Sequence, residues 1–157
     1  MALDQETLNQ FVDSVRRYVR DRLVPLEMQV AEEDRIPDDV IDELKELGLF
    51  GLSIPEEFGG LGLNMAEEAA IIQEMGYTSP VFRSMFGTNV GIGSQGIIID
   101  GTAEQKARYL PKLATGELIG SFALTEADAG SDAGSVMTSA RREGDDYIIN
   151  GTKRYIT

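Results

Sequence analysis

Residues 8–23 carry apolar side chains at Leu8, Phe11, Val12, Val15, Tyr18, Val19 and Leu23, with Arg and Asp between them. That spacing is one stripe of an amphipathic helix. Asp4 stands where an N-cap belongs, and Pro25, which has no N–H to give, marks a break or kink. A second helix is predicted to open at Pro37, to turn Val40, Ile41, Leu44 and Leu47 inward, and to end at Gly48. Residues 53–62 hold too much Gly and Pro for regular structure and read as an ordered loop. Asn64 with Glu67, and Thr102 with Gln105, both have the capping-box pattern. The first pair opens a helix to about Gly76, and the second a short helix that stops before Pro111. Between them residues 80–99 are mostly apolar on all sides, which predicts one central helix wrapped by its neighbours.

Beyond Gly116 the pattern changes. Residues 118–125, roughly 135–142, 147–150 and 153–157 are short strand candidates, and Asn150-Gly151 is a strong type I′ hairpin signal. The expected fold class is α+β: an all-α helical N-terminal domain over residues 1–116, then an incomplete antiparallel β-domain over 117–157. No internal repeat interrupts this order.

Composition narrows the chemistry. With 14 basic against 27 acidic residues the chain carries a net charge of −13, which repels both a phosphate backbone and an anionic bilayer. Neither nucleic acid nor membrane is the expected partner. There is no Cys and no His. Disulfides, thiolate and imidazole metal sites, cysteine nucleophiles and the Ser-His-Asp relay are therefore excluded, and no metal site is expected. Carboxylates, hydroxyls, Lys, Tyr, backbone or a cofactor must do any chemistry. No signal-peptide core and no run of transmembrane length is present, and a soluble cytoplasmic protein is the simplest expectation.

Three patterns invite specific readings. Gly91-Ile92-Gly93-Ser94-Gln95-Gly96 spells the dinucleotide fingerprint, but helical sequence precedes it where that fingerprint needs a strand; close helix packing is the better reading. Asn150-Gly151-Thr152 spells a glycosylation acceptor, and a hairpin turn explains it better in a chain without a signal segment. Arg16, Arg17, Arg20 and Arg22 are interleaved with Asp13 and Asp21 and read as a solvated helix face.

The most informative stretch is Phe122-Ala123-Leu124-Thr125-Glu126-Ala127-Asp128-Ala129-Gly130-Ser131-Asp132. A short apolar run ends in a hydroxyl, and a small-residue turn follows, a combination that sets backbone N–H groups and two hydroxyls against an anionic ligand. Glu126 suggests a catalytic base, yet a lone carboxylate is more often structural, accepting backbone hydrogen bonds or pairing with a cation. Tyr155 suits a core aromatic or a ring-stacking residue equally well.

Over its entire length the chain resembles the acyl-CoA dehydrogenase family. The carrying motifs are Ile54-Pro55-Glu56-Glu57-Phe58-Gly59-Gly60-Leu61-Gly62, then Ala123-Leu124-Thr125-Glu126 with Ala129-Gly130-Ser131-Asp132, then Asn150-Gly151-Thr152-Lys153 with Tyr155-Ile156-Thr157. The resemblance implies FAD as cofactor, with Phe122, Leu124 and Thr125 against the isoalloxazine and the Thr125 hydroxyl among the groups at its pyrimidine edge and N5 region. It implies Gly130 and Ser131 at the pyrophosphate, Ser131 also touching an acyl-CoA substrate, and Tyr155 and Thr157 beside the ring. The family usually has Trp or Phe where Tyr155 stands, so a hydroxyl is added that needs a partner or water. Met85 and Phe86, on the helix of residues 80–99, are implied to set the depth of an acyl pocket.

The implied reaction is α,β-dehydrogenation of acyl-CoA thioesters, as in fatty-acid or related acyl-CoA catabolism, with hydride passing to flavin N5. Electron-transfer flavoprotein is the implied acceptor and a homotetramer the implied assembly. The family's base is a Glu in a C-terminal helical bundle. No catalytic residue is thus expected within these 157 residues, and as a fragment they are expected to show little or no turnover alone. An acyl-CoA oxidase or flavin monooxygenase of the same fold, or a non-catalytic helical interaction module, would share most of these features.

Overall fold

The computed structural model describes residues 3–156 and divides after Gly120 into two compact units. The first unit is helical. Its elements are α1 (Gln5–Tyr18), α2 (Glu27–Glu33), α3 (Asp38–Glu46), α4 (Met65–Met75), α5 (Pro80–Val90), α6 (Ile92–Asp100) and α7 (Ala103–Ala114). In the second unit β1 (Ser139–Glu143) pairs antiparallel with β2 (Asp146–Asn150).

Local signals set the helix starts. Asp4 accepts from the Thr7 amide at 2.8 Å, and both capping boxes form, at Asn64 with Glu67 and at Thr102 with Gln105. Around Pro25 the chain stays helical but changes pitch. A π turn over Val19–Leu23 and a 3₁₀ turn over Val24–Leu26 absorb the missing N–H before α2 begins. Gly48 at φ +73° ends the α3 region, as its position after the last apolar residue predicts.

Two helix predictions need correction. Residues 80–99 are not one helix: Gly91, at φ −99° and ψ −112°, separates α5 from α6. Nor are they apolar-wrapped throughout, since Ile92 and Ile99 are exposed. Gly93 explains the tight corner, because a Cβ there would lie 2.6 Å from the Thr88 carbonyl oxygen. Helix α7 also does not stop before Pro111 but runs through it to Ala114. Leu110, Leu113 and Ala114 bury against Ile54, and that burial outweighs the hydrogen bond Pro111 cannot make.

The main core joins Val15, Val19 and Leu23 to Val40 and Leu44 of α3, Leu49, Phe50 and Leu52 after it, Ile71 and Met75 of α4, and Phe82, Phe86 and Val90 of α5. Phe50 and Phe86 meet edge to face with ring centres 6.2 Å apart. Fully buried Asn89 is paid for by three hydrogen bonds: its amide nitrogen donates to the carbonyls of Leu113 and Leu118, and its oxygen accepts from the Gly120 amide. The buried Glu74 carboxylate is likewise paired, accepting from two nitrogens of Arg16 at 2.8 and 3.1 Å.

The 53–62 loop is ordered through its backbone. Leu61, Gly62 and Leu63 donate to the carbonyls of Gly51, Ile54 and Leu52 at 2.8–2.9 Å. A Cβ at Gly60 would sit 2.0 Å from the Ile54 oxygen, whereas one at helical Gly96 would meet nothing within 4 Å. Gly60→Ala is therefore expected to lose at least about 2 kcal/mol in denaturant unfolding. Gly96→Ala is expected to gain up to about 1 kcal/mol in the same measurement.

Candidate cofactor site

The second unit is built around one carboxylate. Glu126 Oε2 accepts from the Met137 amide at 2.7 Å, and Oε1 accepts from the Thr138 amide at 2.9 Å, the Thr138 hydroxyl and Lys153 Nζ at 2.9 Å. Its own backbone N–H donates to the Ala129 carbonyl, which closes the loop between them. The Thr138 hydroxyl, then Lys153, then the backbone N–H groups hold the Glu126 carboxyl down at about 2, against an ordinary 4.5. With both oxygens engaged and so little affinity for a proton, Glu126 is a structural anion. Its bonding is that of the structural carboxylate the sequence suggests, accepting backbone hydrogen bonds and pairing with a cation.

The same hub explains why the expected strands and turn differ from those observed. Among the described residues, strands form only at Ser139–Glu143 and Asp146–Asn150, while residues 118–125 and 153–156 have no regular structure. The hairpin turns at Gly144-Asp145, with Gly144 at φ +65°, the first-position conformation of a II′ turn. Asn150-Gly151 is not the turn. A Cβ at Gly151 would lie 2.1 Å from the Thr138 hydroxyl, so glycine there lets the chain pass the residue that binds Glu126.

Beside the hub, segments 122–125 and 153–154 are tied together. Lys153 Nζ donates to the Leu124 carbonyl at 3.0 Å, and the Arg154 amide donates to the Thr125 carbonyl at 2.8 Å. Two successive carbonyls are thus occupied by protein. Among the described residues, the amides of Leu124 and Thr125 and the Thr125 hydroxyl have no acceptor. What this stretch offers a ligand is a set of donors, suited to the electron-rich edge of a flavin pyrimidine ring.

Gly130 and Ser131 lie exposed on the loop that closes on Glu126, and a Cβ built at Gly130 would meet nothing within 4 Å. A diphosphate has room to reach backbone there. Asp132 is turned away into the next bend, where its carboxylate accepts from the Ser135 hydroxyl at 2.6 Å, so it adds no bonded partner to that loop. Phe122 is 48% exposed and Tyr155 is 88% exposed. Tyr155 is therefore not a core aromatic of this unit, and its φ of +57° is rare for a bulky side chain. Thr157 lies outside the described residues. The geometry fits FAD at Leu124, Thr125, Gly130 and Ser131 by donor chemistry and open backbone, and leaves the rings of Phe122 and Tyr155 accessible.

In the helical unit, Phe86 is a fully buried core residue, while Met85 lines a pocket of about 330 Å³ with Val30, Ile36, Ile41 and Val81. The Gly91–Gly96 stretch follows a helix, so the dinucleotide context is absent. Sequence reasoning missed Met137, Thr138 and Lys153 as partners of Glu126, and Gly151 as the residue that clears Thr138. Their only sequence signal was that one buried carboxylate must find donors somewhere.

The chain is thus a helical domain followed by a hairpin unit with a donor-lined, glycine-open loop, and comparison with known proteins identifies the class. Residues 5–117 match the family described as acyl-CoA dehydrogenase, N-terminal domain, and residues 121–157 match acyl-CoA dehydrogenase, middle domain. The chain belongs to the acyl-CoA dehydrogenase family. It is 39% identical to (2S)-methylsuccinyl-CoA dehydrogenase of Cereibacter sphaeroides over 99% of its own length and 28% of that protein's. A Bacillus anthracis acyl-CoA dehydrogenase solved with FAD superposes with a TM-score of 0.86 at 34% identity, over 98% of this chain and 26% of that one. The glutaryl-CoA complex of glutaryl-coenzyme A dehydrogenase gives 0.89 at 32% identity, over 98% and 40%. The chain thus spans between about a quarter and two fifths of the length of these relatives.

Because the Glu126 carboxyl lies below its ordinary value, its contribution to folding is complete above pH 4.5 and is lost as pH falls from there toward 2. The protection of the Met137 and Thr138 amides, measured against their intrinsic exchange rates, is expected to fall across that window. In Glu126→Gln the two amides should exchange faster at neutral pH and lose this pH dependence.

Proposed function

We propose that the protein carrying these two domains is an FAD-dependent acyl-CoA dehydrogenase that introduces an α,β double bond into an acyl-CoA thioester. The observation that carries the reading is the donor face at Leu124 and Thr125, whose carbonyls are already held by Lys153 and Arg154. FAD, when bound, accepts the β-hydrogen as hydride at N5. The residues of this chain bind and orient. Leu124 and Thr125 would direct their N–H groups, and Thr125 its hydroxyl, to the pyrimidine edge. Gly130 and Ser131 would give the diphosphate a close approach to backbone, with Ser131 shared by the acyl-CoA substrate. Phe122, Tyr155 and Thr157 would shield the ring from water.

Local donors are needed because the chain's net charge of −13 opposes any anionic ligand. In this reading Glu126 takes no proton from substrate, and the base is the Glu that the family carries in its C-terminal helical domain. Electron-transfer flavoprotein as acceptor and a homotetrameric assembly complete the proposal, and both rest on the family assignment.

Titrating the intact protein with FAD should give a yellow, saturable complex that acyl-CoA bleaches without oxygen. A protein that stays colourless would refute the reading, and peroxide formation in step with turnover would redirect it to an oxidase. Thr125→Ala, which removes one neutral donor, should weaken FAD binding roughly tenfold.

A further inference from the structure

Among the described residues, Lys153 is the one side chain that bonds both the structural hub and the segment assigned above to the flavin. Its ammonium donates at once to Glu126 Oε1 and to the Leu124 carbonyl, with its side chain 23% exposed and that of Glu126 8% exposed. The next amide, that of Arg154, donates to the Thr125 carbonyl. Residues 124, 125 and 126 are thus tied in succession to residues 153 and 154, with no strand ladder between the two segments. In a sheet the ladder would fix the spacing; here one cation and one amide do so.

We propose that Lys153 is a positioning residue: latched on Glu126, it holds the Leu124 carbonyl turned inward so that the flavin meets donors along the 124–125 segment. This rests on the flavin reading above. A free Leu124 carbonyl would be an acceptor able to swing toward the acceptor-rich pyrimidine edge. Without the latch the segment would also have to be ordered by the ligand, which costs binding free energy. The position of Glu126 does not itself depend on Lys153, because the amides of Met137 and Thr138 and the Thr138 hydroxyl hold the carboxylate from the other side. Its depressed pKa keeps it anionic, and the latch closed, at any pH near neutral.

Those two arms can be cut separately. In the intact protein, Lys153→Met removes the arm to Leu124 and leaves the arm to residues 137 and 138. The expected result is FAD binding weakened roughly 10- to 100-fold, as for the loss of hydrogen bonds from a charged donor. Hydrogen–deuterium exchange should show the Arg154 amide losing protection while Met137 and Thr138 keep theirs. Unchanged FAD affinity in Lys153→Met would overturn the proposal. So would loss of protection at Met137 and Thr138 together with Arg154, since Lys153 would then hold the whole unit and not this segment. Lys153→Arg, which keeps a donor for both acceptors, should recover at least part of the affinity; no recovery counts against a latch. If the wild-type protein binds no FAD, the flavin reading itself fails. The exchange pattern then decides separately whether Lys153 fixes the segment.

Discussion

A single carboxylate with four hydrogen-bond donors organises the second unit. Glu126 draws in the entry to β1 through Met137 and Thr138, the segment after β2 through Lys153, and its own loop through the bond from its amide to Ala129. An anion this enclosed is costly unless it is hydrogen-bonded and paired, and that requirement shapes what its neighbours can be. Residue 138 supplies a hydroxyl beside its amide, glycine at 151 clears that hydroxyl, and the cation at 153 adds a further arm that reaches the Leu124 carbonyl. The candidate cofactor segment, Leu124 and Thr125, is the immediate neighbour of this anchor. Its geometry is inherited from electrostatics and owes nothing to β pairing.

This changes the meaning of the acid in the motif. A glutamate beside a flavin segment invites a proton-transfer role, but here both carboxylate oxygens accept hydrogen bonds from Met137, Thr138 and Lys153, and these hold the carboxyl well below its ordinary value. In the function proposed above, the chain's task is binding and orientation. Its overall negative charge makes that task depend on short-range dipoles, which the occupied carbonyls and open N–H groups provide.

What could be read from sequence was what is decided within a turn or two of chain. Asp4, the two capping boxes, Gly48 and the apolar stripe of α1 act through neighbours three or four residues away, and all are where their spacing put them. Pro111 and Gly91 misled because distant packing decides them: the burial of Leu113 and Ala114 against Ile54 carries a helix through proline, and the contact of Gly93 with Thr88 bends one apolar run into two helices. Asn150-Gly151 misled for a similar reason, its glycine serving a contact thirteen residues back. In the candidate site the residue types were legible in Thr125, Gly130 and Ser131. The anchor was not, because nothing local in Lys153 or Thr138 points to Glu126.

The central claim is that the backbone beside Glu126 presents donors to a flavin. Amide NMR of the intact protein during FAD titration tests it most directly. The resonances of Leu124, Thr125, Gly130 and Ser131 should move strongly while those of Met137 and Thr138, shielded by Glu126, stay nearly still. Movement at Met137 and Thr138 with none at Leu124 and Thr125 would contradict it.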